Sequence, residues 1–475
     1  MNFLIYDIVL LVSFVVFTVI FLYKRRTNLK RDGLLFLYKT KVGMRIINNI
    51  GKKYKKTLNL LSYVSVILGF MLMFGGIYIF GKTLWVYIFE KEIVSLLKVP
   101  PIMPLLPYLP QVFKIAYLPS FYFIYWIVIL AIVAVTHEFS HGIFAINKKV
   151  KVKSTGFGFF PFFFPVFLAA FVELDEKKME KKKIFSQMAV LSAGTFANVL
   201  VAIISFVLLF AFFSLSFSPS GVIFDSYTYS LVGVSAITSL NGQSVGNLTY
   251  SQIMNLTIPE EINNISTEKA SYLAQKESLA SQEDNAELGF LILYNDAPAI
   301  RANLSNTIVK INGVTITSKE KLGEELARFS PGDSVIITML EDDAFRDYEI
   351  QLGKDPDTNK TYLGIGFLQK ESSGILGKIV QYFSSFKKEE IYYIPKFQAA
   401  EFIYYLLWWL VMINFSVALV NMLPVGIFDG GRFFYLAMLA ITKSEKKSKK
   451  IFSIITYLFL AAVFVMMVFW AISLF

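Results

Sequence analysis

Six apolar runs, each of about 18 residues or more, occupy the chain near 3–23, 58–80, 119–146, 184–217, 402–424 and 451–475. A run of that length can cross a bilayer as a helix, the form in which a segment satisfies its own backbone N–H and C=O groups. They set the fold class: a polytopic α-helical membrane protein of about six transmembrane helices. Composition agrees. Of 475 residues, 55% are hydrophobic and 17% charged, against about 25% charged in a soluble chain. A soluble enzyme, a disordered chain and a nucleic-acid-binding domain are excluded. The net charge of +11 lies in loops beside apolar runs, so no nucleic-acid partner is expected. The first run has no basic segment ahead of it and is not an ordinary signal peptide.

Lysine and arginine in the flanking loops set the expected orientation. Residues 24–56 hold twelve basic residues against one acid, and 147–183 hold nine lysines against four acids. Residues 443–450 add five more lysines. These three loops are expected on the cytoplasmic side of a multi-pass cell-membrane protein. The Pro-rich connection 81–118, the long stretch 218–401 and both termini then fall outside.

Residues 155–172, TGFGFFPFFFPVFLAAFV, are apolar enough to span. Gly156, Gly158, Pro161 and Pro165 interrupt any helix there. A full crossing would also move the following lysines outside. The segment is expected as a re-entrant or edge hairpin, with an interfacial loop as the plainer alternative.

Residues 218–370 have soluble, α+β character. Strand TIVKI, turn Asn312-Gly313, strand VTI, a helix near 318–328, then Pro331-Gly332-Asp333 and another strand resemble a PDZ domain. The stretches 221–227 and 237–245 give a weaker second match, so one or two such units are expected outside. PDZ grooves accept an extended peptide as an added strand. Sequons at Asn247, Asn255, Asn264, Asn303 and Asn359 are compatible with that side. Residues 374–391 place apolar side chains near helical spacing, as in an interfacial helix.

The chain has no cysteine and two histidines, so imidazole chemistry must use one or both, and thiolate sites are excluded. Both histidines lie in one motif, VTHEFSHG. On a helix, His137 and His141 face one side a turn apart and can reach one metal ion, with Glu138 beside them to handle a proton. Core histidines are the plain alternative, but ionisable groups in a span are expensive and usually functional. Catalytic zinc typically takes three protein ligands and keeps one position open. The third ligand must then be an oxygen, and Asp429, in NMLPVGIFDGGRFF, is a candidate. His137 lies about 27 Å along the third span at 1.5 Å per residue. Charge counting brings it and Asp429 to similar depth, near the cytoplasmic face.

The HExxH motif in one span, with Asn421-x-x-Pro424-x4-Asp429-Gly430 beside another, resembles the site-2 protease family of intramembrane zinc metalloproteases. Ser192-Ala193-Gly194-Thr195-Phe196-Ala197-Asn198 at the start of the fourth span is similar to a further family motif, with Thr195 where proline is common. The resemblance covers about 119–220 and 400–440. It implies one zinc ion per chain on His137, His141 and Asp429, with Glu138 as general base activating the water at zinc. It implies that Asn198 and Asn421 line the site and steady water or the substrate backbone. The implied substrates are transmembrane segments in the lipid bilayer, with an upstream site-1-type protease as a possible partner.

The expected organisation is two N-terminal spans with their basic loop (1–118), the first part of a protease core (119–217), the PDZ-like region (218–370), an interfacial helix (371–401), the second core part (402–440) and a last span (441–475). Two rival readings stand beside it. One is a membrane HExxH protease with a different third ligand, such as Glu173. The other is a non-catalytic PDZ-bearing scaffold or metal transporter.

Overall fold

The computed structural model describes residues 3–473 apart from 33–34, 98, 116–117, 160–167, 247, 343, 356–357 and 368–384. The chain forms two compact units: Met1–Phe212 with Glu401–Phe475, and Phe213–Ala400. Among the described residues, six helices are long and apolar enough to cross a membrane: Phe3–Lys24, Lys55–Phe89, Phe123–Asn147, Ile184–Ser216, Ala400–Asn421 and Glu445–Ile472. The chain is a polytopic helical membrane protein, and these helices are numbered below as spans one to six.

The fifth span stops at Asn421, three residues before Pro424, where a missing N–H discourages further helix. The chain reverses and starts a separate 14-residue helix, Asp429–Thr442. That helix is too short to cross, and hydropathy alone merges it with its neighbours. Gly430 makes the reversal possible, because a Cβ there would run into the backbone of Met422. Met422 and Phe433 are then buried in one apolar cluster with Val66, Met73 and Met188, joining spans two, four and five. Buried Ser65 and Ser192 hydrogen-bond between spans two and four, 2.5 Å apart.

The third span begins on an unusual cap. Its first residues, Phe123 and Ile124, donate N–H bonds of 2.7 and 2.9 Å to the carboxylate of Asp7 in the first span. Tyr108 donates its hydroxyl to the same group. Asp7 is 3% exposed. In apolar surroundings those N–H groups have no water to bond, and a carboxylate also suits the positive end of the helix dipole.

A four-stranded antiparallel sheet, in order β1-β2-β3-β4, joins the two basic loops. β1 (Leu29–Asp32) and β2 (Leu35–Thr40) come from the first loop; β3 (Val152–Phe159) and β4 (Leu168–Leu174) come from the second. Tyr38 pairs with Phe157, and Thr155 with Val172. Direct strand pairing brings the two loops together in one sheet. The apolar hairpin expected over 155–172 is thus two strands of a larger sheet, with β4 at its edge; its residues 160–167 lie outside the described residues. Gly156 is needed for close approach rather than for breaking a helix. A Cβ there would meet the Tyr38 carbonyl and the Phe171 ring.

The second unit holds two six-stranded sheets, each with its own core. One core gathers Val222, Ile308, Ile311, Leu322, Ile337 and Met339. The other gathers Val232, Leu240, Ile253, Ile265, Leu291 and Leu293. Asn312 and Gly313 have positive φ values of 44° and 79° and turn strand Thr307–Ile311 back onto Val314–Thr315, as an Asn-Gly hairpin does. The helix expected near 318–328 is Lys319–Leu326. The interfacial helix expected over 371–401 needs correction at its later end. Ile391–Pro395 is a strand paired with Phe217–Ile223, and 371–384 lie outside the described residues.

Asp7→Leu would leave two N–H groups and the Tyr108 hydroxyl without their acceptor, at about 1–3 kcal/mol per buried unsatisfied group. The expected result is a clearly lower melting temperature in detergent. Phe17→Leu, at a position 65% exposed, should leave it unchanged.

Candidate metal centre

The third span is an uninterrupted helix, so His137 and His141 stand one turn apart on one face. Their ring centroids are 4.7 Å apart and the rings stand at 75°. The two Nε2 atoms are 3.1 Å apart. Asp429, in the first turn of the helix after the reversal, places Oδ2 3.2 Å from both of them. Three donors from two distant parts of the sequence thus form a nearly equilateral triangle. Three donors about 2.0–2.1 Å from one tetrahedral zinc ion are themselves roughly 3.3 Å apart. The donor set fits that ion and leaves a fourth position open. Among the described residues, His137, His141 and Asp429 form the one such group of metal-ligating side chains.

The fourth span closes one side of the triangle with bare backbone. A Cβ on Gly194 would lie 2.6 Å from Nε2 of His137 and closer still to Nε2 of His141. The sequence motif around Gly194 points, by resemblance, to Asn198 and not to the glycine itself. Hydrophobicity carries no signal for a glycine that must be small because of what another helix places against it.

The remaining expected residues fall at different places. Glu138 accepts a hydrogen bond of 3.0 Å from the backbone N–H of Val172 on β4. Its carboxylate is therefore tied to the edge strand beside the histidines. Asn198 is fully buried and faces the back of His137, with Nδ2 3.1 Å from Nδ1. Asn421, partly exposed at the end of the fifth span, makes no hydrogen bond to His137, His141 or Asp429 among the described residues. Glu173, the rival third ligand, is committed elsewhere. It accepts from Lys39 Nζ at 2.6 Å and from Ser154 Oγ at 2.5 Å. Those two bonds, the lysine's first, hold its carboxyl below the usual range.

A model of peptidase family M50 matches residues 125–466. The chain is also 30% identical over 210 residues to the uncharacterized protein MJ0971 of Methanocaldococcus jannaschii. That stretch covers 42% of this chain and 50% of the relative, so the match spans about half of the relative's length.

Metal analysis of purified protein should find about one zinc per chain in the wild type. Asp429→Ala should lose most of it. Gly194→Ala should lose it as well, since the new methyl displaces the imidazoles. Glu173→Gln should keep it. Zinc retained by Asp429→Ala but lost from Glu173→Gln would reverse the ligand assignment.

Proposed function

Because the chain belongs to peptidase family M50, the site-2 protease family, we propose that it is a zinc-dependent intramembrane endopeptidase that cuts transmembrane segments of membrane-anchored proteins. The observation that carries this reading is the triangle of His137, His141 and Asp429 donors with Glu138 next in sequence to the first of them. A scaffold or transporter has no need of that carboxylate.

When bound, zinc supplies Lewis-acid chemistry: it polarises a peptide carbonyl and acidifies a water. The protein does the rest. The Glu138 carboxylate takes a proton from the attacking water as its oxygen bonds to the carbonyl carbon. It later gives that proton to the departing amine nitrogen as the C–N bond breaks. The Val172 N–H fixes one oxygen of Glu138 and so orients the group for both transfers. Asn421, the last residue of the fifth span, would steady the water or the substrate backbone.

A helical substrate hides its peptide bonds in its own ladder and must unwind before it is cut. β4 offers the alternative partner. The Val172 N–H points away from β3, toward Glu138, so the N–H and C=O of Ala170, two residues earlier, share that outward edge. An unwound segment pairing there would be held extended beside the proton-transfer group. The β-rich unit, PDZ-like in its strand–turn–strand–helix order, would lie outside the cytoplasm and select among substrates. It would do so by bulk or by a new carboxyl terminus left by an earlier site-1-type cut. The centre itself would lie nearer the cytoplasmic face and release a cytoplasmic fragment.

Glu138→Gln should keep zinc and lose cleavage of a membrane-embedded reporter by at least about 100-fold, the usual range for a general base. Full cleavage by that variant would favour the scaffold or transporter reading. Ala170→Pro removes one outward N–H and none of the β3–β4 ladder. It should lower cleavage of helical substrates more than that of short, already extended peptides. Equal effects on both would count against pairing on β4.

A further inference from the structure

Two demands on β4 conflict. Its Val172 N–H holds Glu138, so the strand's position sets where the proton-transfer group sits. Its outer edge is free of any strand among the described residues and, on the reading above, must stay free to take an unwound substrate. A strand paired on one side only is easily displaced, and a second strand cannot be added there to steady it. Side chains that grip it away from that edge can.

Two cations do so. Lys39 on β2 stands opposite Gly156 on β3, and Gly156 opposite Phe171 on β4. Residues in such a row share a face of the sheet, as do positions two residues along each strand. Ser154 and Glu173, themselves a pair, therefore lie on the face of Lys39. The lysine crosses β3 at Gly156, where no side chain stands in its way. Its Nζ reaches Glu173 Oε2 at 2.6 Å, and Ser154 Oγ donates to the same oxygen at 2.5 Å. The clamp spans three strands and closes one residue from Val172, whose own side chain turns the other way, onto Gly142 of the third span. Beyond the strand's end, Arg432 Nη1 donates to Glu176 Oε2 at 2.7 Å. Glu176 opens the short helix Glu176–Glu180, two residues after β4 ends at Leu174. Arg432 lies three residues after Asp429 on the same helix, about one turn along. The second pair thus ties β4 to the helix that carries the third metal donor.

We propose that Lys39 and Arg432 are positioning residues for the hydrolysis: together they fix β4, and through the Val172 N–H the Glu138 carboxylate, relative to Asp429. This inference rests on the protease reading above. Lys39 lies ahead of the stretch 125–466 that the family model matches, so the shared motifs do not identify it. Both ion pairs are partly exposed and add little to overall stability. Their effect is on placement, where a shift of about 1 Å can cost about 100-fold in rate.

The test uses the full chain in detergent and a membrane-embedded reporter. Lys39→Met and Arg432→Gln should each lower kcat about 10-fold, with KM, zinc content and melting temperature close to those of the wild type. Lys39→Arg, which keeps the charge, should recover most of the rate. Arg432→Gln combined with Glu176→Gln should be no slower than either alone, since one contact is lost in all three. Hydrogen exchange, followed without added zinc, should be faster over 168–176 in Lys39→Met than in the wild type. Variants that cut at the wild-type rate, or whose loss of rate only follows a loss of zinc or of melting temperature, would overturn the proposal. So would additive losses in the Arg432 and Glu176 pair, or unchanged exchange over β4. A wild type that cuts no reporter would overturn the protease reading itself, and this inference with it.

Discussion

The close approach of the third and fourth spans at Gly194 is the constraint on which the site depends. Without a side chain at that position, the fourth span brings its backbone against both imidazoles. The same approach puts the Val190 carbonyl behind His141 and the Asn198 amide behind His137, four residues either side of the glycine along one helix face. One helix thus supplies the clearance and both supports. The histidines reach the Asp429 carboxylate at ligand spacing because their backs are held.

Several polar groups buried in this unit find a partner within the protein, as apolar surroundings demand. Asp7 meets the first N–H groups of the histidine-bearing span. Ser65 meets Ser192. The Met422–Phe428 reversal turns its carbonyls onto following N–H groups, as from Val425 to Leu423 and from Gly431 to Phe428.

The four-stranded sheet connects orientation to chemistry. Two loops far apart in sequence pair as β2 and β3, and the product is an edge strand, β4, whose Val172 N–H holds Glu138. The basic loop of the first two spans, remote from the motifs in sequence, therefore buttresses the strand that orients the proton-transfer group. Lys39 shows the link in a single contact, bonded to Glu173 on β4.

Much of this was legible in the residues. Apolar length marks the six spans because a bilayer imposes length and internal hydrogen bonding on any helix that crosses it. The i, i+4 histidines declared a shared face, and the Asn-Gly turn and its flanking strands were readable because local φ preferences write them. The helix Asp429–Thr442, the sheet built from two loops, the strand Ile391–Pro395 and the cap by Asp7 were not. Each depends on a partner more than a hundred residues away or on a backbone reversal that leaves no periodic trace. By itself the sequence determined which side chains could form the centre and the segments on which they ride. Only the tertiary structure decided that Asp429 rather than Glu173 meets the histidines, that Gly194 must lack a side chain, and that Asn198 stands behind His137. Those are matters of distances between helices, which no local pattern encodes.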